Sequence, residues 1–247
     1  MTNLKNKPVI TIITVVLNNK KKIDKALKSI FKQSYKNIEL IVIDGGSTDG
    51  TVNIIKKYQK KFNYWISEKD DGIYDAINKG IKKSTGDIIG ILHSDDYLYK
   101  DGISIVAKYF KNNPKIDFLF GSVKKYKLLY GYRPWKIFFS FGFYSTHSVG
   151  FFIKRTSQIK LGYYNTKYKY SSDYDLFYRM IVNKKMLGMA TKKEEIIGVF
   201  RRGGVSSRLS FIDYLNETIK IRLDNGQNRL LVLIIFILKY LKNISKI

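Results

Sequence analysis

The sequence predicts an α/β fold: a mostly parallel, doubly wound sheet flanked by helices and followed by a C-terminal helical tail. Two observations carry this expectation. Strand-like and helix-like apolar patterns alternate through residues 8–122 with short connections, the order that right-handed βα crossovers produce. The first strand-like run, Val9 to Leu17, is rich in β-branched residues and holds no charge, as a parallel strand covered on both faces requires.

The elements follow in order. Pro8 leads into the first strand, and the apolar N-terminus has no Ala-x-Ala-like exit, so it reads as that strand and not as a signal peptide. Ile23, Ala26, Leu27, Ile30 and Phe31 fall on one face of a first helix. Ile38 to Ile43 is a second strand, and Val52, Ile54, Ile55 and Tyr58 mark a second helix. Tyr64 to Ser67 is a short strand; Ile73, Ala76, Ile77, Gly80 and Ile81 give a third helical face. Ile88 to Leu92 is a strand running into His93-Ser94-Asp95-Asp96, followed by a helix on Ile103, Val106, Ala107 and Phe110 and a strand from Asp117 to Ser122. Beyond that point the pattern loosens. Residues 124–144 crowd aromatic and basic side chains without a period, Val149 to Ile153 reads as a strand, Asp173 to Val182 as a helix, and Glu195 to Phe200 as a strand. Helical patterns resume from Leu209 to Leu223 and in the apolar run Leu230 to Leu238, which is too short for the roughly 20 residues that span a bilayer.

Composition narrows the chemistry. The 247 residues carry 45 Lys+Arg against 20 Asp+Glu, a formal charge of +25, yet 45% are hydrophobic, so the charge lies on the outside of a folded body and not on a disordered tail. The absence of cysteine excludes a disulfide scaffold, thiolate-held zinc, an iron–sulfur cluster and thiol catalysis. The 37 Lys outnumber the eight Arg, which argues against base-edge readout of nucleic acid, where the planar guanidinium is preferred.

The charge is unevenly spread. Residues 1–43 carry +7, residues 44–101 carry −1 with ten of the 20 acids, and residues 102–247 carry +19. A chain this basic that gathers its carboxylates in one stretch needs them there, for a cation or as hydrogen-bond acceptors. Asp44, the Glu68-Lys69-Asp70-Asp71 run and Asp95-Asp96 each follow a predicted strand, and ligands of open α/β sheets sit at the carboxyl ends of strands. One such Asp is ordinarily a helix cap. Three in succession, with Asp173-Tyr174-Asp175 later, point to a shared site.

The runs TIITVVLNN, IELIVIDGGSTDGT, ISEKDDGIYDAINKGI, GDIIGILHSDD and SSDYDLFYR, in that order over residues 8–207, resemble glycosyltransferase family 2, the inverting enzymes of the Rossmann-like GT-A fold. The EKDDGIYDAINKG and SDYDL blocks are similar to those of enzymes that extend lipid-linked O-antigen or capsule repeat units. The resemblance implies a sugar transfer from a nucleoside diphosphate sugar, with UDP as the carrier, to a saccharide on a polyprenyl diphosphate, assisted by Mg²⁺ or Mn²⁺. It implies that the backbone of Thr14, Val15, Val16 and Leu17 lies against the base, that Asp44 accepts a hydrogen bond from base or ribose, and that Asp70 lines the nucleoside pocket. Asp95 and Asp96 stand at the DXD-type motif, Asp95 toward the ribose and Asp96 at the centre of the metal site. Asp173 matches the catalytic base. His147, Arg201 and Arg202 match contacts to acceptor or diphosphate, with a structural histidine and a solvated turn as the alternatives. The chain departs from the family in having Lys69-Asp70-Asp71 for Pro-Asp-Lys, His93 where Asp or Asn is frequent, and Ser172 where Glu is frequent. Asp175 is expected to pair with Arg179 at i+4.

The resulting organisation is a catalytic domain over 1–207, its nucleotide-sugar half about 1–122 and its acceptor half about 123–207, with a basic and apolar helical tail over 208–247. The aromatic and basic residues of 124–144 and of the tail suit an anionic membrane surface, which places the protein in the cytoplasm, peripheral on the inner face of the cell membrane. The tail otherwise packs on the domain or on a second copy in a homodimer, which fits a soluble transferase acting on a protein or small molecule. A basic nucleic-acid-binding protein is the alternative of another class; neither stretch belongs to a recognisable nucleic-acid module.

Overall fold

The computed structural model describes residues 7–139, 148–201 and 210–243. The first half alternates as the periodicity predicts, with one short strand, β5, that the sequence reading did not contain: β1 (Ile10–Val16), α1 (Ile23–Phe31), β2 (Ile38–Asp44), α2 (Thr51–Tyr58), β3 (Tyr64–Ser67), α3 (Ile73–Lys83), β4 (Ile88–His93), β5 (Tyr97–Leu98) and α4 (Gly102–Asn112). After these come β6 (Phe118–Phe120), β7 (Ser122–Lys124), β8 (Leu128–Leu129), α5 (Trp135–Phe139), β9 (Phe151–Lys154), α6 (Arg155–Leu161) and α7 (Ser172–Tyr178). The chain ends in β10 (Gly188–Ala190), β11 (Ile196–Val199), α8 (Phe211–Asp224) and α9 (Arg229–Lys242). A seven-stranded sheet has the order β10-β6-β9-β4-β1-β2-β3, and a four-stranded sheet has the order β5-β11-β7-β8.

β1 lies at the centre of the nucleotide half, parallel to β2 on one side and β4 on the other. All seven of its residues are buried, which explains the run without charge. Alternate side chains feed two cores: Ile13 and Val15 join Ile77, Ile81 and Phe177 under α3 and α7, while Ile10, Ile12 and Val16 join Leu27, Ile55 and Val106 under α1, α2 and α4. Glu39, a buried acid at the opposite end of β2 from Asp44, accepts from the Thr11 and Thr85 hydroxyls and the Thr85 and Gly86 N–H groups. Burial pushes its pKa up, but these hydrogen bonds outweigh burial and hold it below the usual carboxylate value. This acid is spent on structure.

α3 approaches β1 closely because Gly80 has no side chain. A Cβ there would stand 2.3 Å from Cγ2 of the fully buried Ile13. Gly80→Ala gains about 0.5–1 kcal/mol of helix propensity but forces an overlap worth about 1–3 kcal/mol. We expect a net loss of stability, read as a lower urea midpoint at unchanged slope.

The second half departs from the simple reading in three places. The strand expected over Asp117 to Ser122 divides at Gly121 into β6 and β7, which belong to different sheets; a Cβ on Gly121 would stand 2.1 Å from Ile197 Cγ1, so only glycine fits this corner. The strand near Val149 begins as a 3-10 turn and continues as β9, antiparallel between β4 and β6. The helix expected over Asp173 to Val182 is α-helical only to Tyr178 and passes into a π turn over Arg179–Asn183. α8 is joined to this half: Ile221 enters its core, the Tyr168 hydroxyl donates to Asp224 (2.6 Å), and the Lys169 and Tyr170 N–H groups donate to Glu217 (2.7 and 3.0 Å).

Candidate active site

The loops after β1, β2, β3 and β4 are tied together by short hydrogen bonds. Asn18, in the left-handed region that Asn tolerates (φ 48°), donates its N–H to Ser47 Oγ (2.7 Å) and accepts from the Thr48 N–H (2.8 Å). Asn19 donates its N–H to Thr51 Oγ1 (2.9 Å) and its amide to Ser94 Oγ (2.8 Å). This asparagine pair staples the exits of β1, β2 and β4. It was visible as a doublet at the end of a strand, but sequence reasoning gave it no role. Thr14, Val15 and Val16 are buried within the sheet, whereas Leu17 is 60% exposed.

Asp44 is fully buried at the end of β2. Its Oδ2 accepts from the Ser67 hydroxyl (2.6 Å) and from the Ser47 and Gly46 N–H groups (2.9 and 3.2 Å), while its buried Oδ1 has no hydrogen-bond partner. An orphaned carboxylate oxygen in such a place is costly unless a donor arrives. Next to it, Gly45 leaves room for Asp70: a Cβ there would stand 2.9 Å from Asp70 Oδ2 and 3.5 Å from Leu17 Cδ1. Asp70 therefore points inward, with its other oxygen 2.6 Å from Lys79 Nζ. The same ammonium reaches Glu68 (2.8 Å) and Asp75 (3.5 Å), and this company pushes its pKa up. Burial pushes the Asp70 carboxyl up, partly opposed by Lys79. Asp71, by contrast, is exposed.

After β4 the two adjacent carboxylates differ. Asp96 is 2% exposed and accepts the Arg201 N–H at Oδ1 (2.9 Å). The Arg201 guanidinium lies over the Tyr97 ring, 5.2 Å from its centroid. Asp95 is half-buried and makes no hydrogen bond or ion pair among the described residues. Among the described residues no group of three or more His, Cys, Asp or Glu could hold a metal ion. The chemistry of the pair still fits a hard dication: two oxygen donors, one of them unengaged, suffice where substrate phosphates and water complete the shell. His147 and Arg202 lie outside the described residues.

Asp173 sits in the first turn of α7, half-buried, and its Oδ1 accepts the Tyr174 N–H (2.9 Å). Tyr74, in the first turn of α3, places its hydroxyl 3.3 Å from the same oxygen and 2.9 Å from the Tyr170 carbonyl. Burial, and then the charge of Asp173, push the Tyr74 hydroxyl well up, so it stays a donor. Its ring stacks on Tyr164 with 5.6 Å between centroids. The motif that carries Asp70 thus touches Asp173 across the sequence. Asp175 is 2% exposed and is spent on structure: Arg179 Nε lies 2.9 Å from one oxygen, as the i+4 spacing predicts, and Asn225 Nδ2 lies 2.9 Å from the other. Tyr74→Phe removes the hydroxyl that lies between Asp173 and the Tyr170 carbonyl. We expect a loss of about 1 kcal/mol of stability, measured as a lower urea midpoint.

A mostly parallel α/β sheet that carries a buried acceptor and a carboxylate pair at its strand ends, with the half-buried Asp173 in the first turn of α7, has the form of a nucleotide-binding α/β domain. The sequence pattern of the family described as glycosyl transferase family 2 matches residues 11–187. An uncharacterized glycosyltransferase of Mycobacterium tuberculosis is 40% identical over 102 residues, covering 41% of this chain and 38% of that relative. A PGL/p-HBAD biosynthesis glycosyltransferase of Mycobacterium bovis is 32% identical over 120 residues, 47% of each. Matches to these relatives thus span less than half of their length. Of solved structures, S. aureus TarS 1-349 in complex with UDP-GlcNAc superimposes with a TM-score of 0.70 at 19% identity, covering 87% of this chain and 66% of that one. The mannosyltransferase PcManGT from Pyrobaculum calidifontis, in complex with GDP-Man and Mn²⁺, gives 0.66 at 18% identity over 96% of this chain and 70% of that one. The chain belongs to glycosyl transferase family 2.

Proposed function

We propose that the protein is an inverting, metal-dependent glycosyltransferase. It moves a sugar from a nucleoside diphosphate sugar, with UDP as the carrier, to a saccharide on a polyprenyl diphosphate. The setting is the cytoplasmic face of the membrane, in the synthesis of a cell-surface polysaccharide such as O-antigen or capsule. The observation that carries this reading is the contact of Tyr74, from the motif that bears Asp70, with Asp173. It brings a carboxylate suited to proton abstraction next to the strand-end loops that would hold the nucleotide.

Each residue then has a task. Asp44 presents its unpartnered Oδ1 to an N–H or hydroxyl of the nucleoside, and Asp70, held by Lys79, forms the wall beside Gly45. Thr14 to Leu17 form the floor below, with Leu17 offering apolar contact. Asp95 and Asp96 would hold Mg²⁺ or Mn²⁺, with Asp95 also reaching the ribose. The ion, when bound, supplies positive charge to a departing diphosphate, so no protein acid is required at the leaving group. Asp173 takes the proton of the acceptor hydroxyl as that oxygen attacks the anomeric carbon from the face opposite the diphosphate. Arg201, Arg202 and His147 contact diphosphate or acceptor. Residues 1–122 serve as the nucleotide-sugar half of a domain over 1–207, residues 123–207 as the acceptor half, and 208–247 as the tail.

Support also comes from the neighbours: TarS was solved with UDP-GlcNAc, and PcManGT with GDP-Man and Mn²⁺. The deciding experiment is a screen of sugar nucleotides for thermal stabilisation with and without Mn²⁺, followed by transfer to a synthetic lipid-linked saccharide. Stabilisation by none of them would overturn the reading.

A further inference from the structure

α9 is apolar on two sides. Val232 and Ile235 are buried where the helix packs on α8, and Lys239 reaches back over the Tyr214 ring, 5.8 Å from its centroid. On the outer side Leu230, Leu233, Ile234, Ile237, Leu238 and Leu241 follow i, i+3, i+4, i+7, i+8, i+11 and are 45–66% exposed. A continuous aliphatic stripe facing water calls for a partner. It is too short to cross a membrane: 14 residues rise only about 21 Å, against a hydrocarbon core of about 30 Å.

We propose that this outer face of α9 lies on an anionic lipid bilayer, with the stripe at the acyl boundary and the flanking Arg229 and Lys242 among the headgroups. Charge selects this occupant over a second copy of the chain. No acidic residue follows Asp224, while the cations Arg229, Lys242 and Lys246 do. The alternative of two copies closing on each other would confront these cations with the same acid-free segment, whereas an anionic leaflet neutralises them. The neighbouring surface has the same character. Arg222, in the last turn of α8, and Gln227, between α8 and α9, donate to the Phe138 carbonyl of α5 (2.7 and 2.9 Å), and α5 exposes Trp135 and Phe139 beside Lys136. From Phe118 through Ser172 there are ten Lys or Arg and no acid. The proposal rests on the lipid-linked acceptor only for its purpose.

The test is co-sedimentation of the full chain, without donor or acceptor, with phosphatidylcholine vesicles that do or do not contain phosphatidylglycerol. The intact protein is expected to pellet with the anionic vesicles and to stay in solution with the neutral ones. Leu233→Gln/Ile237→Gln/Leu241→Gln, all at exposed positions, is expected to lower the partition coefficient at least about tenfold at an unchanged melting temperature. Transfer to a water-soluble acceptor fragment is expected to be unaffected. Failure of the intact protein to pellet, equal pelleting of the triple variant, or a solution dimer that this variant converts to monomer would each overturn the proposal. Because vesicle binding needs no sugar nucleotide, its loss is distinguishable from failure of the transferase reading.

Discussion

Asp173→Asn is expected to leave sugar-nucleotide binding intact and to lower the transfer rate by about 10²–10⁴-fold, the usual contribution of a positioned general base. The amide keeps the shape of the carboxylate and an oxygen that accepts the Tyr174 N–H and faces the Tyr74 hydroxyl, so fold and donor site are preserved while basicity is lost. Thermal stabilisation by the sugar nucleotide checks the first half of this statement and initial rates check the second. The neighbouring carboxylate supplies a control. Asp175→Asn weakens the pair with Arg179 and keeps the contact to Asn225 available, so its effect should appear in the urea midpoint and not selectively in turnover. Full activity of Asp173→Asn would move the base to another residue.

The second large effect separates Asp95 from Asp96. Asp95→Ala removes a carboxylate that holds nothing else in place among the described residues. If the pair holds the ion as proposed, its expected result is a fall in transfer rate of about 10²–10³-fold, the scale of removing an electrostatic stabiliser, at an unchanged melting temperature. Asp96→Ala deprives the Arg201 N–H of its acceptor and opens space in a buried position. It should therefore cost about 1–3 kcal/mol of stability as well as activity. Mn²⁺ titration of each variant by electron paramagnetic resonance, alongside thermal melts, reads both quantities. A variant of either residue with undiminished Mn²⁺ affinity and activity would remove it from the metal site.

The legibility of the chain follows from how far apart the interacting residues lie. α1, α3 and β1 could be read from consecutive residues, because each buries a face whose period is written in its own segment. Their buried positions, Ile23, Ala26, Leu27 and Ile30 in α1 for example, are those the spacing selects. β9 could not be read as antiparallel, since its direction depends on pairing with β4 and β6, strands that come before a stretch of sequence without a period. The break at Gly121 was hidden for the same reason: the atom that enforces it belongs to Ile197, 76 residues later.

The same distinction runs through the candidate site. Local sequence placed carboxylates at the ends of β2, β3 and β4 and paired Asp175 with Arg179, because strand ends and i+4 contacts are short-range matters. Tertiary structure decided which oxygens are spent and which are left over. Asp44 gives one oxygen to Ser67 and its own loop and keeps the other unpartnered; Asp70 turns toward Lys79 while Asp71 faces solvent; Tyr74 meets Asp173 across 99 positions. By itself the sequence determined the family, the alternating strands and helices of the first half and the set of acids. Only folding sorted those acids into buried anchors and available groups, because availability is set by neighbours that the chain brings back from far away.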